Sequence, residues 1–381
     1  MRVKIFLSKF CVFGAISLAV FALSACSMLD SAIENVSSVV GSTDSATVTA
    51  NTAQIRSSYA VVAADLLEVK RGEKLDVLDQ VEFEKVLWYR VRANDEDKTE
   101  GWIEAQNVIT SELLEKSKQI ALEDKDMPSQ ASGQLRAASN LRLSPELSDT
   151  NLIYKLDNGS GFEIVDWQFV PKVQNITNDD SANSNPAKGK NPEIEAAKEK
   201  DEPEKLDDKY DIWYRVRLDP SVSPAPSGWL FGRQIELQVP SDIVFYQNNS
   251  RKFVTWQRLD SIPSDDNVSA NTSVKVSRPG SWVILSRTNE VKARDGVEPD
   301  FDGILFLGYD KIRQEHYTIR RVEGVWGLLP LKVEGSGDQR TVSIQLLNEA
   351  GKVEEKRFSV FKESGNFKAT VPEGIYIEPK K

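Results

Sequence analysis

The pentapeptide Trp-Tyr-Arg-Val-Arg occurs twice in the chain, at residues 88–92 and again at residues 213–217. Tryptophan is scarce, with only 8 copies in 381 residues, so a repeat that begins with it indicates an internal duplication. Each copy alternates between two kinds of side chain with the two-residue period of a half-buried β-strand. We therefore expect the same strand, and the same small fold around it, to occur twice.

Further landmarks keep their order around the two pentapeptides. They are AQIRSS (53–58) and SNLRLS (139–144), Gly72 and Gly159, and Gly101-Trp102-Ile103 and Gly228-Trp229-Leu230. Short alternating runs closed by Gly or Asn predict about five antiparallel strands per copy. Five strands in roughly 60 residues bury enough surface only by curling on themselves. The sequence thus predicts two small barrels.

These landmarks resemble those of the bacterial SH3-like (SH3b) family. Its members combine a hydrophobic-Arg opening, a strand that starts at Gly, a Trp-Tyr-x-Val strand and a closing Gly-Trp-hydrophobic strand. The resemblance covers residues 46–110 and 134–239 and implies two SH3-like barrels. Family members often continue the opening as Arg-x-Gly-Pro, whereas this chain has Ser57-Ser58 after Arg56 and Leu143-Ser144 after Arg142. A ligand cleft beside that loop would therefore be reshaped.

Two segments lie outside the predicted strands of the barrels, one within barrel 2 and one between the two barrels. Residues 171–209 are rich in Pro, Glu, Lys and Asp with few large apolar side chains, which predicts a disordered insertion in barrel 2. Residues 111–133 form a linker, and its stretch 112–127 carries spaced leucine and isoleucine residues on a charged background without Gly or Pro. This stretch predicts a short helix.

Residues 240–381 contain eight short runs typical of strands and no good helix. The runs are 253–259, 273–277, 281–287, 303–310, 316–322, 341–347, 357–361 and 367–371. Residues 348–352, Asn-Glu-Ala-Gly-Lys, suit a hairpin turn in which Gly351 takes a positive φ. This pattern predicts a β-sandwich or a barrel-like domain of no recognised family. The expected fold class for the whole chain is therefore all-β.

The first residues have the order of an export signal, with three basic residues, an apolar run from Cys11 to Leu23 and then small residues. Leu23, Ser24, Ala25 and Cys26 resemble the lipobox of bacterial lipoproteins. The resemblance implies that residues 1–25 are removed as a signal peptide and that Cys26 is lipidated. Residues 26–45 would then be a flexible tether, rich in Ser.

The lipobox resemblance also implies a location. Ser27 stands where an aspartate would signal retention in the inner membrane, which favours a lipid-anchored protein of the outer membrane. The chain has only two cysteines, Cys11 and Cys26, so lipidation leaves neither a free thiol nor a disulfide. The net charge of −10 argues against nucleic acid as a partner.

The sequence contains few of the residues that known catalytic sites require. A cysteine peptidase needs a free thiol, a zinc hydrolase needs several imidazoles, and a serine triad would depend wholly on His316. We expect His316, the single histidine, to be a surface residue of a strand. The acidic loop 293–304 lacks the spacing of a calcium loop and is expected to be solvated. We predict neither an enzyme nor a cofactor or metal, although carboxylate-based hydrolysis stays open.

The repeated aromatic residues have two interpretations. Trp88 and Trp213 are expected to fill the barrel cores. A candidate ligand groove, where a ring stacks on a sugar or a peptide, is formed by Tyr89, Trp102, Tyr214 and Trp229. The arginines of the pentapeptides are expected to form cross-strand pairs with acidic residues. They are Arg90, Arg92, Arg215 and Arg217.

Together these features predict a lipid-anchored, non-enzymatic protein of the cell envelope. Its SH3-like barrels would bind peptidoglycan or an envelope protein, with avidity gained from two modules on one tether. The first alternative is a structural adaptor that docks an envelope complex through residues 240–381. A carboxylate-dependent cell-wall hydrolase is the second.

Overall fold

A computed structural model describes residues 44–172, 209–248, 250–260 and 278–378. The predicted leader with Cys26, nearly all of the tether and most of the insertion lie outside the described residues, as does the strand predicted at 273–277. Within those ranges the chain forms three seven-stranded antiparallel sheets and one α-helix. The all-β prediction is therefore confirmed. Within the same ranges, no helix has the length and apolar character needed to cross a bilayer.

Barrel 1 is the curled sheet of the first copy. Its strands are β1 (Ser45–Val48), β2 (Thr52–Arg56), β3 (Asp65–Lys70), β4 (Lys74–Phe83), β5 (Val86–Arg92), β6 (Glu100–Glu104) and β7 (Val108–Thr110). They are ordered β3-β2-β6-β5-β4-β1-β7 in the sheet. Ile55, Leu75, Val91 and Ile103 are fully buried inside it, as the alternating pattern predicts.

Barrel 2 repeats this arrangement. Its strands are β8 (Ala131–Leu135), β9 (Ser139–Arg142), β10 (Leu152–Leu156), β11 (Gly161–Pro171), β12 (Tyr210–Arg217), β13 (Ser227–Phe231) and β14 (Ile235–Leu237). Their order, β10-β9-β13-β12-β11-β8-β14, is that of barrel 1 with each number raised by seven. The sequence repeat is thus a structural duplication. Each copy has seven strands rather than five, because its first and last strands are too short to show a period.

The two copies also share irregularities. The long β4 shifts register between Val77 and Asp79, and β11 shifts between Ile164 and Asp166. A 3-10 turn precedes the last strand of each copy, at Ala105–Asn107 and at Gly232–Gln234. A bulge bends its strand, so matching bulges curl both sheets at the same place.

A single α-helix, α1 (Ser111–Glu123), joins the barrels where the linker sequence predicts a helix. The Thr110 hydroxyl caps it by accepting the backbone N–H of Leu113 at 3.5 Å. Leu114 and Ser117 are buried, and the helix packs against β13. The connection between the barrels is therefore ordered and docked on barrel 2.

The C-terminal sheet is a meander in which each strand pairs with the next. Its strands are β15 (Lys252–Arg258), β16 (Trp282–Arg287), β17 (Phe301–Asp310), β18 (Glu315–Glu334), β19 (Gln339–Leu347), β20 (Val353–Glu363) and β21 (Asn366–Thr370). The sheet curls until β21 comes near β17 and β18, where the Tyr317 hydroxyl accepts the N–H of Phe367 at 2.7 Å. Of the two predicted forms, the barrel-like one describes this sheet.

Strand β18 is much longer than the predicted run 316–322. Gly324, Gly327 and Pro330, which follow that run, are of residue types that weaken or interrupt strands. The ladder between β18 and β19 instead shifts register between Leu328 and Lys332, so Pro330 sits at an irregularity where its missing N–H is tolerated. A side chain at Gly327 would lie 2.2 Å from the Phe301 ring, so this glycine makes room for a buried aromatic residue.

Barrel 2 and the C-terminal sheet share one hydrophobic core. Buried residues from both sides form a single cluster, among them Leu141, Phe162, Phe253, Trp256 and Leu305. Hydrogen bonds reinforce the contact, because Gln130 accepts the N–H of Leu331 at 2.8 Å and donates to its carbonyl at 3.2 Å. These two parts therefore form one packed body.

Candidate ligand-binding surface

The structure separates the four residues of the predicted groove. In barrel 1, Tyr89 pairs with Ile103 and packs against the core, whereas Trp102 pairs with Arg90 on the outer face. Neighbouring residues of a strand point to opposite faces of the sheet, which explains the separation. Tyr89 and Trp102 therefore do not line one groove.

The same separation occurs in barrel 2. Tyr214 pairs with Leu230 and packs against the core cluster, with its ring centroid 6.1 Å from that of Trp167. Trp229 lies on the outer face and is buried beneath Arg215, whose guanidinium carbon is 5.9 Å from the centre of the ring. The first tryptophans of the two pentapeptides, Trp88 and Trp213, are both buried.

Trp102 contacts the ring of Tyr59 on the outer face of barrel 1, and Tyr59 also contacts Phe83. The centroid of the Tyr59 ring lies 5.1 Å from that of Trp102, with the rings perpendicular, and 5.1 Å from that of Phe83. Tilted and perpendicular pairs are favourable aromatic geometries. We call Tyr59, Phe83 and Trp102 the aromatic cluster, and all three are half-buried. Tyr59 was missed in the sequence because it has no counterpart in the second copy, where Pro145 follows Arg142 at the same spacing.

Tyr59 belongs to the first loop, residues 57–64, which Arg56 organises. Its guanidinium donates to the carbonyls of Val61 at 3.0 Å and Ala63 at 3.1 Å, and it pairs with Asp65 at 3.4 Å. The tip of this loop is nevertheless apolar, with Val61 82% and Val62 94% exposed. An ordered loop that presents apolar side chains to solvent is typical of a binding surface.

The arginines of barrel 1 pair across the strands as predicted. Glu100 accepts from Arg90 at 3.0 Å and from both Nε and a terminal nitrogen of Arg92, at 3.0 and 2.7 Å. These contacts, above all the hydrogen bonds from Arg92, lower the pKa of Glu100. Both guanidinium groups still face solvent, since the side chains are 48% and 39% exposed.

In barrel 2 the equivalent arginines mainly bind α1 and the residues that follow it. Arg215 donates to the carboxylates of Glu123 at 2.7 Å and Asp124 at 2.9 Å. Arg217 donates to the backbone carbonyls of Asp124 and Met127, as well as to Glu163 on the neighbouring strand. The outer face of barrel 2 is thus occupied by the chain itself.

The side chain of His316 is only 7% exposed, so the expectation of a surface position is wrong. Its Nε2 lies 2.9 Å from the carbonyl of Gly280 and 3.6 Å from the carboxylate of Asp242, which also accepts from Trp282 at 2.8 Å. Burial raises the pKa of Asp242, but hydrogen bonds from His316, Trp282 and the Gly280 N–H outweigh it and lower the pKa. The segment before β15, including Tyr246, covers this part of β18. His316 therefore ties that segment to the sheet.

The acidic loop is a structural element. Asp300 accepts hydrogen bonds from the Trp167 indole at 2.9 Å and the Leu329 N–H at 2.8 Å, and Asp302 accepts from the N–H and hydroxyl of Thr288. Burial raises the pKa of Asp300 to about 6. The two carboxylates have separate partners, and the part of the chain that the structure describes holds no group of three potential metal ligands.

Comparison with family models and with curated proteins provides no relative for this chain. No protein-family model matches it, and no curated protein matches it significantly. The functional interpretation therefore depends on the residues themselves.

Proposed function

We propose that this chain is a lipid-anchored, non-enzymatic protein of the bacterial cell envelope that binds its ligand through barrel 1. The ligand is an envelope protein or peptidoglycan, and the anchor is Cys26 in the outer membrane. The lipobox-like sequence supports the anchor, and the SH3b resemblance supports a binding role for the barrels. Neither the arginine pairs nor His316 and Asp242 are arranged around an open catalytic cleft.

One observation carries the assignment of the ligand to barrel 1. Its outer face presents the aromatic cluster and the apolar tip of the first loop to solvent, whereas α1 covers the equivalent face of barrel 2. The rest of the molecule serves as support, because barrel 2 and the C-terminal sheet share a core. Exposed apolar side chains favour a protein ligand over the carboxylate-rich polymer.

The test is photo-crosslinking in cells, with a crosslinking amino acid in the full chain at Val62. The matched control has the same amino acid at Leu147, which is 72% exposed on the corresponding loop of barrel 2. We expect protein adducts from position 62 and few from position 147. Sedimentation of the full chain with purified sacculi tests the other ligand, with Val61→Ser and Val62→Ser as the variant. Absence of adducts at position 62 together with absence of sacculus binding would contradict the proposal.

A further inference from the structure

The contact between α1 and barrel 2 is a template for what the outer face of barrel 1 can bind. Because the strand order and register are the same, residues of the two faces can be matched. Arg215 pairs with Trp229 as Arg90 pairs with Trp102, and Arg217 pairs with Ser227 as Arg92 pairs with Glu100. We call the four barrel 1 residues of these pairs, together with Leu66 of β3, the open face. It consists of Leu66, Arg90, Arg92, Glu100 and Trp102.

Two features hold α1 on barrel 2. The arginines bind the end of the helix, where Arg215 also donates to the carbonyl of Ile120 at 3.2 Å, alongside the Asp124 N–H. A helix C-terminus carries partial negative charge, and Glu123 and Asp124 add full charges, so the guanidinium pair complements it. Nearer the middle of the helix, Ser117 donates to the Ser227 carbonyl at 2.5 Å and accepts from the Ser227 N–H at 3.1 Å.

The apolar residue that α1 covers in barrel 2 also has an exposed counterpart in barrel 1. Leu114 of α1 lies in one core cluster with Ile153 of β10, which is 4% exposed. In barrel 1 the residue that corresponds to Ile153 is Leu66. Ile153 lies between the strand partners of Arg142 and Leu141. Leu66 lies in the same way between the strand partners of Arg56 and Ile55. Leu66 is 47% exposed. The Arg90 side chain is likewise 48% exposed, against 18% for Arg215.

Building on the proposed function, we infer that the open face of barrel 1 binds an amphipathic α-helix of a partner protein that ends in acidic residues. The carboxylates and terminal carbonyls of that helix contact Arg90 and Arg92, and its apolar side lies on Leu66 and Trp102. Glu100 stands where barrel 2 has Ser227 and already occupies both arginines. The incoming helix has to displace Glu100, which weakens binding and makes it reversible.

The probe is a fluorescently labelled peptide of residues 110–127, the helix that barrel 2 already binds. A lactam between Glu112 and Lys116 holds it helical, since these side chains form an i,i+4 ion pair at 2.6 Å on the exposed side. Titrated with the full chain in detergent, the peptide should bind. The double change Arg90→Gln and Arg92→Gln should weaken binding by roughly tenfold or more. Glu100→Ser should strengthen it.

Two controls make the result specific. Arg136→Gln with Arg233→Gln removes the same charge from exposed arginines elsewhere and should leave binding unchanged. A peptide with Glu123→Gln and Asp124→Asn should bind poorly to the unaltered chain. Thermal unfolding of each variant establishes that it is folded.

Two results would overturn the inference. One is failure of the peptide to bind even the Glu100→Ser chain, and the other is binding that depends on Arg215 rather than Arg90, which indicates exchange at barrel 2. Crosslinks from Val62 in cells would then still support the proposed function with a ligand of another shape. Absence of those crosslinks and of sacculus binding, together with intact peptide binding, would instead contradict the proposed function alone.

Discussion

Single residues explain why the motifs of the two copies are the same. The glycine before each closing tryptophan lies against a neighbouring strand. A Cβ at Gly101 would be 2.5 Å from the carbonyl of Arg56, and one at Gly228 would be 2.9 Å from that of Arg142. Only glycine permits this close approach of strands. Each of these arginines in turn holds the loop that follows it, and Arg142 donates to Asn151 at 2.8 Å.

Arg56 provides the first residue-scale prediction. Arg56→Leu removes two hydrogen bonds to carbonyls of the first loop and should make residues 57–64 more mobile, which weakens ligand binding because the loop is no longer preorganised. Hydrogen exchange of the loop amides is the measurement, and exchange should become faster there while β12 is unaffected. Arg136→Leu, at an exposed arginine of barrel 2, is the control. Unchanged protection of the loop would show that Arg56 does not organise it.

Asp300 provides the second residue-scale prediction. Its raised pKa means that the folded chain binds a proton more tightly than the unfolded chain, so this group stabilises the fold increasingly as pH falls from about 6 toward 4. Asp300→Asn should therefore reduce the gain in melting temperature on going from pH 7 to pH 4.5. Asp295→Asn, at an exposed position of the same loop, should retain the gain. Equal pH dependence in both variants would assign the gain in melting temperature to other groups, such as Asp166, whose pKa burial also raises.

At the scale of elements, α1 decides which barrel is free to bind. It lies between β7 of barrel 1 and β8 of barrel 2 in the chain, and its buried face contains a small residue at Ser117. Serine allows the helix to approach β13 closely enough for two hydrogen bonds to Ser227. The helix thereby covers barrel 2 and leaves barrel 1 open.

Ser117→Leu tests this contact. The larger side chain has no room at a position with no exposed surface, so the helix should separate from barrel 2, at a cost of about 1–3 kcal/mol for overpacking. Gln119→Leu, on the exposed side of the same helix, should have little effect. Limited proteolysis within residues 111–127 reports the separation. Equal resistance of the two variants would mean that the close contact does not hold the helix.

At the scale of the whole molecule, the three β-rich parts differ in how extensively they pack on one another. Barrel 2 and the C-terminal sheet share a core, while barrel 1 adjoins barrel 2 through α1, through Ile109 of β7, which lies in that core, and through polar contacts such as Arg71 with the Ser221 carbonyl at 3.0 Å. Such an arrangement suits a rigid support that carries one binding module. An N-terminal lipid would hold the whole assembly at a membrane.

The proposed lipid anchor is tested by Cys26→Ser. Each acyl methylene buried in the bilayer contributes about 0.8 kcal/mol, so the loss of several chains should move the protein from the membrane fraction to the soluble fraction. Cell fractionation and the mass of the N-terminal peptide are the measurements. Cys11→Ser removes the other cysteine of the chain and should leave the anchor intact. Membrane retention of both variants would exclude lipidation at Cys26 as the anchor.

The sequence alone determined the duplication, most of the β-strands and the linker helix, because these depend on local periodicity and on residues such as Gly351 whose backbone needs are local. Only the tertiary structure decided which aromatic rings meet, where His316 lies and which barrel is covered. Tyr59 reaches Trp102 across a loop, and Arg215 reaches Asp124 from a distant strand. Contacts of this kind depend on how elements pack, and no local pattern in the sequence encodes packing between distant segments.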